Sequence, residues 1–168
     1  MNPIFELNFW QERLKEAERI NLPSHAIGMG FNFQLIDRIH KEIVNKEIGK
    51  AERVLDVGCG YGRTCEWFFP AQYIGVDFVP DFVHKAKEFH PQYMFHVMDI
   101  REPLRFAPKV FDWGICISMQ EMIRRDAGQK EWDEIEKNLK RVCRQLLILE
   151  YGSSREDEIK KYEIHSNK

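Results

Sequence analysis

The chain has 168 residues, 43% hydrophobic and 31% charged, with a net charge of −2. That length favours a single domain with a real core. Near-neutrality removes the electrostatic argument for a nucleic-acid binder, because a polyanionic partner demands a basic face.

Residues 8–20 carry Trp10, Leu14, Ala17 and Ile20 at helical spacing, with charges between them. Pro23, Gly28 and Gly30 interrupt that pattern, and residues 33–48 resume it through Ile36, Ile39, Ile43 and Val44. From residue 52 short apolar runs alternate with helical patterns. "RVLDV" reads as a first strand, and "GRTCEWFF" can open a helix. "YIGVD" is a second strand, followed by a helix in "VPDFVHKAKEFH" with Pro80 near its first turn. "YMFHVMD" is a third strand, in which His96 is expected to be a packed side chain. "REPLRFAPK" is a loop and "FDWGICIS" a fourth strand. "QKEWDEIEKNLKRVC" is amphipathic, with Trp132, Ile135, Leu139 and Val142 on one face, and "QLLILE" is a fifth strand. The remaining polar stretch reads as a short helix or tail, to which "YEI" adds at most an edge piece.

Continuous apolar strands alternating with helices predict an α/β fold, its parallel sheet covered on both faces and joined by right-handed crossovers. The expected single domain, 1–168, divides into a helical cap (1–50), a ligand-binding core (51–150) and a polar tail (151–168). Ligands of such sheets sit at the carboxyl ends of the strands. Those ends are Asp56–Gly62, Asp77–Phe78, Asp99–Ile100, Ser118–Glu121 and Glu150–Gly152. The cysteines, Cys59, Cys65, Cys116 and Cys143, form no C-x-x-C pair and have no histidine cluster beside them. Free thiols in a reducing compartment, with no metal site, are expected. No apolar run approaches the ~18 residues of a membrane helix, so a cytoplasmic location is expected and membrane association is not.

The glycines of "VLDVGCGYGRT" bring backbone close to a ligand. Their spacing, Gly58, Gly60 and Gly62, is neither the P-loop nor the dinucleotide fingerprint. Asp56 at the strand's end would repel a pyrophosphate and welcome a cation. Asp77 follows Gly58 by 19 residues, a placement suited to ribose hydroxyls. Asp99 can accept from an adenine amino group. A nucleoside sulfonium fits three acidic strand ends better than a nicotinamide dinucleotide does.

"VLDVGCGYG" followed by "YIGVD", "FHVMDI" and "FDWGICIS" resembles the class I S-adenosylmethionine-dependent methyltransferases, over roughly residues 50–150. The resemblance implies a Rossmann-like three-layer α/β/α fold with strand order 3-2-1-4-5 behind N-terminal helices. It also implies S-adenosylmethionine as cofactor, S-adenosylhomocysteine as product, and methyl transfer to an acceptor. On that basis Gly58, Cys59, Gly60 and Gly62 would cradle the methionine part of the cofactor, and Asp56 would lie near its amino group, directly or through water. Asp77 would bind the ribose and Phe78 would pack on the adenine. Asp99 would meet the adenine amino group beside the Ile100 amide, and Ser118 would lie close to the methionine end. "FWQERL" is similar to a segment preceding the core in some small-molecule methyltransferases, which would bring Arg13 to the cofactor carboxylate. Structural alternatives stand beside these roles: turn residues for the glycines, a helix cap for Asp77, a loop start for Asp99, core for Phe78, a small filler for Cys59, a polar strand end for Ser118 and helix surface for Arg13.

A hydroxyl or ammonium acceptor needs a base. Glu121 and His25 are the candidates, the latter in a loop that could close as a lid. "SMQEMI" is not the Asn/Asp-Pro-Pro-Tyr/Phe signature of amino-directed nucleic-acid methylases, so a small-molecule acceptor is expected, with protein and RNA open. The family usually adds a helix and a two-stranded hairpin after the fifth strand, for which 151–168 is too short. An uncovered fifth strand would be an exposed apolar edge. Three outcomes follow: an open acceptor site, a homodimer covering that edge, or a silent cofactor-binding or scaffold subunit. A mononucleotide-binding oxidoreductase is disfavoured by the glycine spacing and Asp56.

Overall fold

The apolar stripes of the N-terminal third become two helices, α1 (Leu7–Arg19) and α2 (Phe33–Glu47), in a computed structural model that describes residues 6–19, 33–49, 52–150 and 162–166. Six strands follow: β1 (Val54–Val57), β2 (Tyr73–Asp77), β3 (Met94–Val97), β4 (Phe111–Ile117), β5 (Cys143–Leu149) and β6 (Tyr162–Ser166). Their order is β3-β2-β1-β4-β5-β6; the first five run parallel and β6 runs antiparallel to β5. Helices α3 (Pro80–Phe89), α4 (Gln120–Ala127) and α5 (Gln129–Val142) complete the fold.

Period-two alternation along the strands builds two cores. Val54, Tyr73, Trp113, Ile115 and Leu147 pack with Ile36, Ile39 and Val44 of α2. Leu55, Val57, Val76, Leu146 and Ile148 pack on the other face with Trp132, Ile135, Leu139 and Val142 of α5. Each fully buried aliphatic side chain contributes about 1.5–3 kcal/mol, so the β1–β4 centre is rigid by construction. The carboxyl ends of β1, β2 and β4 are held on that platform.

Four features differ from expectation. "GRTCEWFF" forms only a three-residue 3-10 turn, Cys65–Trp67, followed by a second, Pro70–Gln72. The turn ends at Phe68, which is already extended (φ −124°, ψ 164°), and Pro70 holds Phe69 extended as well (φ −73°, ψ 141°), so no helix resumes there. Between β4 and α5, α4 is a separate helix, ended by Gly128 at φ 91°, whose N–H bonds the Ile123 and Arg124 carbonyls. His96 is exposed rather than packed, because β3 is an edge strand and residues 98–110 hold no helix to cover it. Finally, "YEI" does pair, placing Ile164 opposite Leu147. The edge of β5 is therefore covered within the chain, which removes the structural reason for expecting a second copy there.

Candidate functional site

The turn after β1 is left-handed at all three glycines, with φ of 71° at Gly58, 53° at Gly60 and 79° at Gly62. Their surroundings separate them. A Cβ on Gly58 would lie 2.2 Å from Met119 Sδ, and one on Gly62 would lie 2.8 Å from Phe95 Cζ. A Cβ on Gly60 would meet no heavy atom within 4 Å. Packing thus bars a side chain at Gly62 and crowds one at Gly58 against the flexible end of Met119, whereas Gly60 keeps space open in front of the turn. Cys59 turns its side chain into the core, where it would lie 2.9 Å from a Cβ on Gly75, and its thiol donates to the Gly60 carbonyl at 3.7 Å. Burial pushes its thiol well up, so it is not a nucleophile at neutral pH.

Asp77 ties β2 to this turn. Its Oδ2 accepts from the Gly60 amide at 3.0 Å and its Oδ1 from the Val79 amide at 2.9 Å. Burial pushes its carboxyl up to about 6, against the pull of those two amides. The capping alternative is therefore real, since Val79 precedes α3, yet the same carboxylate also orients Gly60. Asp56 lies beneath the turn, 2% exposed, with Oδ2 accepting from Thr64 Oγ1 and from Tyr73 Oη at 2.6 Å. Burial raises its pKa, opposed by the two hydroxyls and by the Arg63 charge. Arg63 reaches α2, donating to Asp37 Oδ1 at 2.8 Å and meeting His40 Nδ1 at 3.4 Å. This Asp37–Arg63–His40 link was missed in the sequence, because a helix and a turn 23 residues apart carry no local pattern that joins them.

The other residues divide. Phe78 is part-buried against Tyr61, Val79 and Phe82, in a cluster that also seats Leu14 and Trp10 of α1. Asp99 is taken by Arg101, whose Nε donates to Oδ1 at 2.9 Å and whose amide donates to it at 3.0 Å. Burial pushes its carboxyl up, but the Arg101 side chain and amide more than offset that and hold it below the ordinary value. Ile100 is buried, 7% exposed, on the α5 side of the sheet. Arg13 is exposed on α1, its guanidinium 5.5 Å from the Phe9 ring centroid and 6.0 Å from that of Trp10. His25 lies outside the described residues.

At the end of β4 the backbone itself is unusual. Ser118 has φ 59°, a left-handed position costly for a residue with a side chain, and its amide donates to the Leu149 carbonyl at 2.7 Å. Its buried Oγ has no partner among the described residues. Gln120, 2% exposed, leaves Nε2 unpartnered in the same way. Glu121 holds its side chain in solvent on the first turn of α4, while its amide donates to Glu150 Oε1 at 3.1 Å. Glu150 was legible only as a strand end; burial pushes its carboxyl up to about 7, against the Glu121 amide.

The arrangement suits a ligand that is not a polyphosphate. A pyrophosphate site relies on a helix N-terminus behind the glycine turn, and only the three-residue 3-10 turn stands there. The Gly58 and Cys59 amides are already spent on the Val76 carbonyl, and that of Gly60 on Asp77.

Residues 54–145 match a family model described as "Methyltransferase domain". A comparison with curated protein sequences returned no significant match. Among solved structures, a protein from Pyrococcus horikoshii OT3 aligns at 23% identity and TM-score 0.60, over 71% of this chain and 58% of that one. A SAM-dependent methyltransferase from Methanosarcina mazei aligns at 20% identity and TM-score 0.56, over 67% and 58%. Phosphoethanolamine N-methyltransferase 1 of Haemonchus contortus, in complex with phosphoethanolamine and S-adenosylhomocysteine, aligns at 14% identity and TM-score 0.65, over 89% and 33%. The chain therefore spans between a third and three fifths of the length of these structures. No described helix is long and apolar enough to cross a membrane.

Proposed function

The chain belongs to the methyltransferase domain family, and on that premise we propose that it transfers a methyl group to a small-molecule acceptor in the cytoplasm. The cofactor that membership brings is S-adenosylmethionine, which supplies, when bound, a methyl already activated on a positively charged sulfur. The residues present fit it. The observation that carries the reading is Gly60: its open Cβ direction and its amide clamped to Asp77 make a preorganised, uncharged cradle beside a buried carboxylate.

In this reading Gly58, Cys59, Gly60 and Gly62 supply backbone to the methionine part of the cofactor, and Asp56 meets its amino group, directly or through water. Asp77 accepts from the ribose hydroxyls, an exchange its amide-oriented carboxylate needs little movement to make. Asp99 and the Ile100 amide lie on the adenine side with Phe78, and Arg101 must share Asp99 with the base. Ser118 offers its unpartnered Oγ at the methionine end. Arg13 on α1 would reach the cofactor carboxylate only by leaving the Phe9 and Trp10 rings. A small acceptor is supported by the near-neutral charge and by the absence of a nucleic-acid signature in "SMQEMI".

Calorimetric titration with S-adenosylmethionine and with NAD tests the cofactor. Binding of NAD alone would overturn the assignment. Release of S-adenosylhomocysteine across panels of small molecules, RNAs and peptides tests the transfer. Cofactor binding with silence on every panel would make the chain a binding subunit instead.

A further inference from the structure

The carboxyl ends of β4 and β5 carry polar chemistry that the cofactor roles leave unused. Glu150 ends β5 and accepts from the amides of Glu121 and Gln120 at the start of α4. Beside it, Gln120 is 2% exposed with Nε2 unpartnered, and Ser118 Oγ is buried and unpartnered. One turn further along α4, Arg124 Nε is also buried without a partner, its guanidinium 6.0 Å from the Trp132 ring centroid. Buried donors without partners are costly, and Ser118, Gln120 and Arg124 supply three of them along one short stretch of chain, which points to a missing oxygen-bearing partner. The place is continuous with the glycine turn, because Met119, between Ser118 and Gln120, packs its sulfur against Gly58.

Resting on the methyl-transfer reading above, we infer that Glu150 and Gln120, beside Ser118 at the methionine end, form the acceptor subsite, that the acceptor is a small amine carrying a hydrogen-bonding oxygen, and that Glu150 takes the amine's proton. Two carboxylates, Glu150 and Glu121, stand on this side of the site and favour a cation over a neutral alcohol or an anion. The unpartnered Gln120 Nε2, a donor only, selects the oxygen. The ammonium passes one proton to Glu150, which frees the nitrogen lone pair. That pair forms the new nitrogen–carbon bond to the methyl carbon, and the electron pair of the broken methyl–sulfur bond stays on sulfur. The methylated nitrogen carries the positive charge away, and Glu150 releases its proton to solvent.

The surroundings suit that exchange. Burial holds the Glu150 carboxyl up near 7, and the Glu121 charge adds to this while Arg124, also on α4, opposes it. From β4 the facing titratable group is the Cys116 thiol, which burial keeps neutral. A carboxyl in that range both accepts and returns a proton at neutral pH. Glu121, exposed at the lip, has no comparable enclosure.

The test uses the isotope-labelled full chain saturated with S-adenosylhomocysteine and titrated with ethanolamine, ethylamine and 1,2-propanediol, followed by amide NMR. Ethanolamine should shift the Ser118, Gln120 and Glu121 amides saturably, and the diol should not. Glu150→Gln should weaken ethanolamine at least tenfold with unchanged S-adenosylhomocysteine affinity, Glu150→Asp should restore part of it, and Glu134→Gln should behave as wild type. Gln120→Met should weaken ethanolamine but not ethylamine, a comparison that still decides the matter if Glu150→Gln fails to fold. Protein that binds S-adenosylhomocysteine but ignores the amines, or amine affinity indifferent to both Glu150→Gln and Gln120→Met, would overturn the acceptor assignment alone. Failure to bind S-adenosylhomocysteine at all would overturn the underlying reading with it.

Discussion

The glycine turn separates folding from function more sharply than any other part of the site, and alanine scanning of it makes a quantitative case. All three glycines are left-handed, so any side chain there costs about 1–2 kcal/mol of backbone strain. At Gly60 that is the whole penalty, because an added methyl meets nothing within 4 Å. At Gly62 the methyl would press on the Phe95 ring at 2.8 Å and on His90 Cδ2 at 3.1 Å, and overpacking a core adds about 1–3 kcal/mol. The sum for Gly62→Ala is then about 2–5 kcal/mol. At this chain length 1 kcal/mol corresponds to roughly 2–4 °C in melting temperature. Gly60→Ala should therefore melt only a few degrees below wild type, with Gly62→Ala falling about twice as far. Gly58→Ala should lie between them, since the flexible Met119 side chain can move aside. Cofactor affinity should follow a different order. Gly60→Ala, the mildest lesion to folding, places its methyl where the methionine part of the cofactor would lie, and should weaken S-adenosylmethionine at least tenfold in calorimetry. Binding within twofold of wild type by a well-folded Gly60→Ala would refute the cradle. Equal melting of Gly60→Ala and Gly62→Ala would refute the packing argument.

Asp77→Ala should weaken S-adenosylmethionine at least tenfold by calorimetry, and unchanged affinity would remove its ribose role. Because burial holds Asp77 near 6 against an ordinary 3.8, the folded chain binds this proton more tightly than the unfolded chain. Its contribution to stability is thus fully present at low pH and falls by about 3 kcal/mol as pH rises from about 4 to about 6, a slope that Asp77→Asn should flatten in denaturant titrations. His40 has the opposite sign: burial, and then the Arg63 charge, lower its pKa to about 3, so acid must force a proton onto it. Wild type should lose stability relative to His40→Leu as pH drops from about 6.5 toward 3, and parallel pH profiles would show that His40 is not held neutral. Tyr73→Phe removes one of the two hydroxyls on Asp56 Oδ2 and should cost about 1–3 kcal/mol. Combined with Thr64→Val the losses should not add, and strict additivity in the double-mutant cycle would separate the two bonds.

Much of this molecule was legible without coordinates because its signals are local. A strand ending in Asp56 before alternating glycines, and acidic residues closing the next two strands, place Asp56, Asp77 and Asp99 by covalent adjacency to the sheet. The order of the first five strands came from the family resemblance those motifs carry, and the sheet has that order. The misses have separate causes. The helix expected in "GRTCEWFF" ends at an extended Phe68, and Pro70 then keeps Phe69 from resuming it. His96 looked like core because its strand is apolar, and is exposed because nothing covers that edge. The pairing of "YEI" depended on whether the chain returns to β5, a long-range event that short polar sequences do not announce.

By itself, then, the order of residues determined the α/β class, the glycine turn after the first strand and the carboxylates beside it, because each rests on periodicity or on neighbours along the chain. Only the tertiary structure decided how those groups are spent. It bound Asp77 to the Gly60 amide, Asp56 to Thr64 and Tyr73, and Asp99 to Arg101. It also left Ser118 and Gln120 unpartnered next to a half-sheltered Glu150. Those partnerships join segments from different strands and helices. Their strength depends on burial and distance, which exist only once the chain has folded.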